Sequence, residues 1–512
     1  MNQGKPNILF IMADQLIPFL TGVYGHPVVK TPNLNRLAEQ GVRFDTVYSP
    51  CPVCAPARAA LMTGKYVSNI GAYDNAAPFS CQEPTFAHYL TLAGYDVVLA
   101  GKMHFIGPDQ LHGFRRRFNT NEYPADFAWT PARGVENQVA HRHAMQYVGE
   151  GVKVGHWSQF LSYDEETHFR ALEYLHAKGI ERQYVQEHGQ IPQPFFLCVS
   201  YHHPHEPFWP PKDLWNLYEG EEIEIPKFPD NLEETYSTLD RWLNFYHGVA
   251  EAKNLRNPES LRRVRRAYYA LVTYIDIKVG ELLASLEENG FRENTIVVFC
   301  SDHGDMLCEK GMVQKRAFYE WSSRVPLIMR FPDGWQQGTV RSEPVNLIDL
   351  APTFLDMVGV GEEERLPMDG KSLMPLLDGS DVEERVVFSE YHSQGAHAPC
   401  FMVRQGRYKY IYIHGYDSQL FDLEADPGEW HNLVGDPRYK DVEERLRTLI
   451  LVQFAPDAID RAVMESVRKR ALIKQAMAIT HTRWDVEPRF DPTRSITGQY
   501  LPETEETIDY FR

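Results

Sequence analysis

The chain has 512 residues, more than one hydrophobic core usually serves, so one large domain and a smaller one are expected. Its 43% hydrophobic and 24% charged content is that of an ordinary folded protein and excludes a disordered chain. A formal net charge of -18 excludes the clustered Lys and Arg on which phosphate-backbone binding rests, so no nucleic-acid partner is expected.

No apolar run approaches the length of a membrane span. The first residues, MNQGKPNILFIMAD, begin a strand almost at once, without the basic, apolar and small-residue segments of a secretory leader. Seven cysteines (Cys51, Cys54, Cys81, Cys198, Cys300, Cys308 and Cys400) are scattered and lack paired metal-ligand spacing. Together these features predict a cytoplasmic protein with reduced thiols and no membrane partner.

Asn7 to Met12 is a continuous apolar run, the pattern of a strand buried on both faces, and it ends in Ala13-Asp14-Gln15. Helical spacing follows over Asn33 to Glu39 and Thr85 to Ala93, the second leading through Gly94 into a strand over Asp96 to Ala100. That strand closes on Gly101-Lys102-Met103-His104. From about Pro108 to Gly155 aromatics, histidines and prolines show little periodicity, as in a structured insertion that builds a substrate pocket. Phe195 to Tyr201 is another buried strand, followed by His202-His203-Pro204-His205. A long amphipathic helix over Ser260 to Asn289 feeds the strand Thr295 to Cys300, which closes on Ser301-Asp302-His303-Gly304-Asp305. Pro326 to Phe331 and a helix over Leu347 to Val358 complete the large unit.

This β-α-β rhythm predicts an α/β fold: a large, mostly parallel central sheet flanked by helices over residues 1–370. Beyond Gly370 come short strands, Val386 to Tyr391, Phe401 to Val403 and Tyr408 to Ile413, then a charged helix from Lys440 to Leu451. They predict a smaller α+β unit over residues 371–456, with a helix and tail over 457–512. Trp484, Tyr500 and Phe511 suit docking of that tail on the same chain or a neighbouring subunit, and favour a homo-oligomer, dimer or tetramer.

Candidate chemistry centres on Ser49 to Lys65, SPCPVCAPARAALMTGK. Pro56 suits the first turn of a helix, because its missing N–H would be unpaired there. That puts Cys54 at a helix N-terminus, where backbone N–H groups and the dipole favour negative charge, with Arg58 one turn on. Taken alone, Cys54 reads more readily as a buried structural thiol than as a reactive one. Asp14 and Gln15, and Asp302 and His303, end two separate strands, and in a parallel sheet those ends share one edge. Hard divalent cations want such oxygen-rich groups.

C-x-P-x-R followed by Leu61-Met62-Thr63-Gly64 resembles the signature of type I sulfatases, in which the cysteine is oxidised to formylglycine. ADQ, GKMH, HHPH, and SDHGDM followed by Lys315 occur in family order and resemble the sulfatase branch of the alkaline phosphatase superfamily. Phe421 to Leu433 (FDLEADPGEWHNL) is similar to the C-terminal sulfatase module. Tyr73 to Phe79, Gly101 to Phe114 and Tyr123 to Pro131 resemble choline sulfatases.

This resemblance implies a Ca²⁺ ion, with Mn²⁺ or Mg²⁺ as alternatives, held by Asp14, Gln15, Asp302, His303 and the modified Cys54. Gln15 replaces the aspartate of many sulfatases, a variation shared with phosphonate monoester hydrolases. It also implies a formylglycine-generating enzyme as maturation partner. A hydroxyl of the hydrated aldehyde would attack sulfur, with Asp302 as base and Arg58 holding the group. Lys102, Lys315 and the ion would bear on the sulfuryl oxygens. His203, the first histidine of H-P-H, would protonate the leaving alcohol with help from Lys315, and His104 would deprotonate the second hydroxyl to expel sulfate.

For a quaternary ammonium head, recognition needs aromatic faces and a carboxylate; Asn75, Trp129 and Glu390 fall where choline sulfatases supply such groups. HRHAMQYVGEG, from His141, departs from the aromatic-rich pattern of that group. Three functions are therefore in play: hydrolysis of a sulfate monoester (choline sulfate or an aryl sulfate), hydrolysis of a phosphonate monoester or phosphodiester, and noncatalytic binding of sulfate or metal. Lys102 and His104 favour the sulfate ester.

Overall fold

The opening apolar run forms β1 (Asn7–Asp14), buried along its whole length. This is a computed structural model, and it describes residues 5–133, 141, 143–380, 384–482 and 484. Further strands are β2 (Val42–Phe44), β3 (Val47–Tyr48), β4 (Asp96–Gly101), β5 (Arg116–Arg117), β6 (Phe195–Pro204), β7 (Thr295–Ser301), β8 (Leu327–Arg330), β9 (Thr339–Arg341) and β10 (Val345–Asn346). Eight of them make one sheet in the order β5-β4-β6-β1-β7-β8-β2-β9, and only β8 runs against its neighbours. β3 and β10 pair separately. The expected large, mostly parallel sheet is therefore present.

Alternation along the central strands feeds two cores. Leu9, Ile11, Leu197, Val199, Val297 and Phe299 face helices Pro32–Glu39, Gln159–Glu187 and Pro258–Glu288. Ile8, Phe10, Met12, Phe196, Cys198 and Val298 face helices Phe86–Leu92 and Leu350–Met357. Side chains of period two sandwiched between helical layers explain why these strands read as unbroken apolar runs.

A second, antiparallel sheet runs in chain order through β11 (Val386–Tyr391), β12 (Cys400–Gln405), β13 (Tyr408–Ile413) and β14 (Ser418–Asp422), with helix Lys440–Gln453 against it. Helix Pro456–Thr480 then returns to the large sheet's side of the molecule. Its Val463 and Val467 pack on Tyr73 and Ala77, and Arg470 makes two bonds to Asp74, 2.7 and 2.8 Å. Trp484 meets Phe127 of the same chain, ring centroids 4.7 Å apart. Tyr500 and Phe511 lie outside the described residues.

Two elements depart from the sequence expectation. Helix Gln159–Glu187 lies in a stretch with no clear stripe: Leu161, Ala171 and Leu175 are buried, whereas Phe169, Ile180 and Tyr184 are exposed. β14 also escapes the pattern, because five residues ending in a polar turn carry too little alternation to register. No described helix is long and apolar enough to cross a membrane.

Candidate active site

Because β1, β4, β6 and β7 run parallel, their carboxyl ends meet on one edge and present Asp14, Lys102, His202 to His205, Asp302 and His303 together. Facing them is helix Cys54–Thr63, whose first residue is Cys54. Val53 precedes it in extended conformation and offers no side-chain cap. Asn75 supplies the missing acceptor from elsewhere, its Oδ1 taking the Ala55 N–H at 3.0 Å. The helix start is thereby fixed, and with it the Cys54 Sγ, 3.1 Å from His303 Nε2 and 3.9 Å from Asp14 Oδ1.

Arg58 is the cross-brace beneath this point. Its fully buried guanidinium donates to Asp14 Oδ2 (3.0 Å), Asp302 Oδ2 (2.8 Å), Ser200 Oγ (2.8 Å) and the Lys102 carbonyl. Lys102 Nζ in turn lies 2.8 Å from Asp14 Oδ2 and 3.0 Å from Glu122 Oε1, with the Tyr123 ring centroid 4.3 Å away. Burial alone would raise the Asp14 carboxyl, yet Lys102, His205 and Arg58 hold it well below the usual carboxylate range. Burial likewise works against Glu122, and Lys102 then His202 keep it ionised. These charges are stable only as a set.

One donor atom each from Asp14, Cys54, Asp302 and His303 lies within 4.8 Å of all the others, and all four residues are buried. The His303 ring places Nδ1 2.9 Å from the Gly304 carbonyl; donation there leaves the Nε2 lone pair facing the cluster. Arg58 and Lys102 occupy Asp14 Oδ2, leaving Oδ1 toward the same point. Two carboxylates, an imidazole and residue 54 make a donor set that fits a divalent cation. Gln15 joins through its backbone N–H, 3.1 Å from Asp302 Oδ1. Its side-chain oxygen accepts from Lys315 at 2.5 Å, while its amide nitrogen donates to Glu206 and Asp305. To act as a metal ligand, that oxygen would have to leave Lys315.

Burial, then the Asp14 carboxylate, pushes the Cys54 thiol up to about 11, which makes the unmodified side chain a poor nucleophile. His104 sits with its ring between Tyr123 (4.9 Å) and Trp129 (5.9 Å), both ring nitrogens buried without a partner. Burial, then Lys102, keeps that ring neutral, well below its ordinary pKa.

A cavity of about 860 Å³ opens over Cys54 and is lined by Asn75, Tyr123, Trp129, His205 and Lys315, among others. Of the expected residues, Cys54, Asn75, Trp129 and Lys315 line it; the other nine do not, and two of these, His203 and Glu390, are turned to partners of their own. His203, expected as the proton donor, points to the other face of β6: its Nδ1 is 2.6 Å from Asp164 Oδ2 on helix Gln159–Glu187. β6 ends at Pro204, and it is His205, past that end and no longer held to the strand's alternation, that lines the cavity. His205 Nδ1 donates to the Glu206 carbonyl at 2.8 Å, and its Nε2 lies 2.5 Å from Lys315 Nζ. Glu390 is fully buried on β11, where Ser68 donates to one oxygen (2.9 Å from the amide) and His392 bonds the other at 2.7 Å.

Sequence reading passed over Glu122, Asp164, Ser200 and Glu206, and set His205 beside His203 but took His203, on the family match, as the donor. Glu122 stands immediately before the YPADFAWTP stretch, and His205 is the second histidine of H-P-H, so both lay inside motifs already in view. Asp164 and Ser200 carried no local signal, since their partners are 39 and 142 residues away in sequence.

A family model described as "Sulfatase" matches residues 6–360, and a second, "N-sulphoglucosamine sulphohydrolase, C-terminal", matches residues 308–454. A choline-sulfatase of Rhizobium meliloti (strain 1021) is 38% identical over 499 residues, covering 95% of this chain and 94% of the relative. An arylsulfatase of Clostridium perfringens (strain 13 / Type A) is 28% identical, covering 88% of this chain and 94% of the relative. Among solved structures, a phosphonate monoester hydrolase from Silicibacter pomeroyi superposes with a TM-score of 0.69 at 23% identity, over 88% of this chain and 95% of its own, a likeness of fold. The chain belongs to the sulfatase family and is a hydrolase of the alkaline phosphatase superfamily.

Proposed function

We propose that this sulfatase cleaves a sulfate monoester with residue 54, oxidised from cysteine to formylglycine, as its nucleophile beside a bound divalent cation. The observation that carries the reading is the buried convergence of Cys54 with Asp14, Asp302 and His303 at the floor of an open cavity. Hydrated formylglycine supplies an oxygen nucleophile, and the cation, Ca²⁺ or alternatively Mn²⁺ or Mg²⁺, supplies charge neutralisation. Asp14, Asp302, His303 and residue 54 would hold the cation, with Gln15 completing the set once its oxygen leaves Lys315.

The chain's own groups account for the rest. Arg58 holds Asp14 and Asp302 at fixed separation, leaving Asp302 to take a proton from residue 54. Lys102 and Lys315 bring positive charge to where the sulfuryl oxygens gain negative charge. Lys315 Nζ donates to His205 Nε2 at the cavity wall, and this pair, rather than His203, protonates the leaving oxygen. His104, held neutral, takes the proton whose loss expels sulfate. Maturation needs a formylglycine-generating partner. A cytoplasmic, reducing location agrees with seven free cysteines.

Peptide mass spectrometry tests the nucleophile: the aldehyde form of residue 54 is about 18 Da lighter than cysteine. On the same material, kcat/KM is measured for choline sulfate, an aryl sulfate and an aryl phosphonate monoester. Sulfate esters are expected to lead. Full activity with unmodified Cys54, or a lead for the phosphonate, overturns the reading.

A further inference from the structure

Arg316 follows Lys315 in sequence and lines the same cavity, yet no reaction step uses it. It is only 5% exposed. The four arginines buried more deeply each face a carboxylate: Arg58 on Asp14 and Asp302, Arg265 on Glu309, Arg470 on Asp74 and Arg133 on Asp460. Arg316 makes no ion pair among the described residues. Its Nε is buried without a partner, and Nη1 has only the Gln314 side-chain oxygen at 3.3 Å. The Tyr246 ring lies 5.4 Å from the guanidinium carbon, and Tyr391, Cys54 and Glu206 are near enough to act on its charge without an ion pair.

The backbone holds it there at a cost. Arg316 sits at φ +86°, a region an arginine rarely adopts, while its N–H donates to the Pro52 carbonyl at 2.9 Å, two residues before Cys54. A buried guanidinium without a counter-charge is expensive, and its planar fork matches carboxylate, sulfate and phosphate oxygens.

The surrounding wall repeats the sign. Besides Lys315 and Arg316, the cavity is lined by Lys153 and Lys474, with Lys153 lying over the Trp209 ring at 4.4 Å and Lys474 bonded to the Ala128 carbonyl at 2.6 Å. Among the described residues the single lining carboxylate, Glu206, is already engaged by the Gln15 and Gln314 amides. His141 and His143 complete this side, and burial followed by Arg316 keeps both rings neutral. Among the described residues a quaternary ammonium would find aromatic faces here but no free carboxylate, and beside it a cation with no ion pair.

Resting on the sulfate-ester reading, we infer that the alcohol portion of the substrate carries a second oxyanion, a carboxylate, sulfate or phosphate, that seats on Arg316. This names a specificity residue and a substrate class: sulfate esters with a second negative charge, larger than choline sulfate.

The test compares kcat/KM for phenyl sulfate, meta-carboxyphenyl sulfate and choline sulfate, using mass-verified full-length protein and its Arg316→Met and Arg316→Lys variants. The carboxyphenyl-to-phenyl ratio is expected to exceed about 10 in the natural chain, to fall at least tenfold in Arg316→Met, mostly through KM, and to recover partly in Arg316→Lys. Three results overturn the inference: a ratio that Arg316→Met does not move, an equal loss on both aryl esters, which would put Arg316 on the transferred sulfuryl group, or choline sulfate as the best substrate. Calorimetric titration of the natural chain with meta-hydroxybenzoate and phenol reads the subsite without turnover or variant folding; equal affinities would also overturn it. Failure of all three esters to turn over, with meta-hydroxybenzoate still preferred, would instead strike the sulfate-ester reading.

Discussion

The floor and the wall of the cavity are built on opposite electrostatic plans. On the floor, Asp14, Arg58, Lys102, Glu122 and Asp302 are buried and mutually paired, and their backbones are strand ends or the first turns of an adjoining helix and loop. Along the wall, Arg316, His141 and Lys153 come from irregular segments and His143 from a short 3-10 turn, and the Arg316 Nε is buried with no partner among the described residues. A paired floor can hold a reactive geometry without substrate, because each charge already has its counter-charge. An under-paired wall is completed by whatever binds. Chemistry is thus fixed by the sheet, and choice of substrate is left to loops that the sheet does not constrain.

Removing the nucleophile tests the floor most severely. Cys54→Ala is expected to cut turnover of para-nitrophenyl sulfate by at least about 10⁴-fold, the scale on which loss of a nucleophile acts, with an unchanged far-UV circular dichroism spectrum. Residual activity above that level would mean the floor works without residue 54.

Next in size is the brace. Arg58→Met leaves Asp14 and Asp302 buried without their shared cation, a change expected to cost about 3–5 kcal/mol. In a chain of 512 residues that is a fall in Tm of roughly 3–5 °C, read by calorimetry. A Tm within a degree or two of the natural chain would show that the floor does not depend on its pairing.

The two histidines of H-P-H sharpen the division, since His203 on β6 is turned to Asp164 and His205, past the strand end, lines the cavity. His205→Ala is expected to lower kcat on alkyl sulfates by roughly 10²-fold or more and on aryl sulfates much less, because only poor leaving groups need the proton. His203→Ala removes a partner of buried Asp164 and should act on both esters alike, mainly through stability. The reverse assignment of these two phenotypes would restore His203 as the donor.

Sequence legibility follows the same line between floor and wall. Parallel strands buried on both faces announce themselves as apolar runs, and their polar last residues, Asp14, Lys102 and Asp302, were readable because strand ends share an edge. The reversed direction of β8 was not readable, since Leu327–Arg330 has the same pattern either way round. Glu390 looked like a cavity carboxylate because it ends a strand, but its neighbours Ser68 and His392 take both oxygens, a contact that depends on a residue 322 positions away. Arg316 is the reverse case: one more charge beside Lys315 in sequence, it becomes distinctive only when the four arginines buried more deeply are seen each to have a carboxylate. Pairing across long separations is what the linear chain conceals.

Trp129 gives the smallest expected effect and the finest test of whether wall and floor are separable. Its indole is 39% exposed at the cavity rim and packs on Tyr123 at 4.9 Å, and Tyr123 covers the Lys102 ammonium. Trp129→Ala removes an aromatic face available to the alcohol portion, worth about 1–2 kcal/mol, so kcat/KM should fall by roughly 5–30-fold. If the wall only binds, the loss lies in KM, grows with the size of the alcohol and leaves Tm nearly unchanged. If Tyr123 transmits the change to Lys102, kcat falls for the smallest ester as well, since Lys102 then loses the ring that helps hold it on Asp14. The ion pairs of Lys102 with Asp14 and Glu122 are short and wholly buried, and they hold the ammonium without help from Tyr123. The loss is therefore expected in KM.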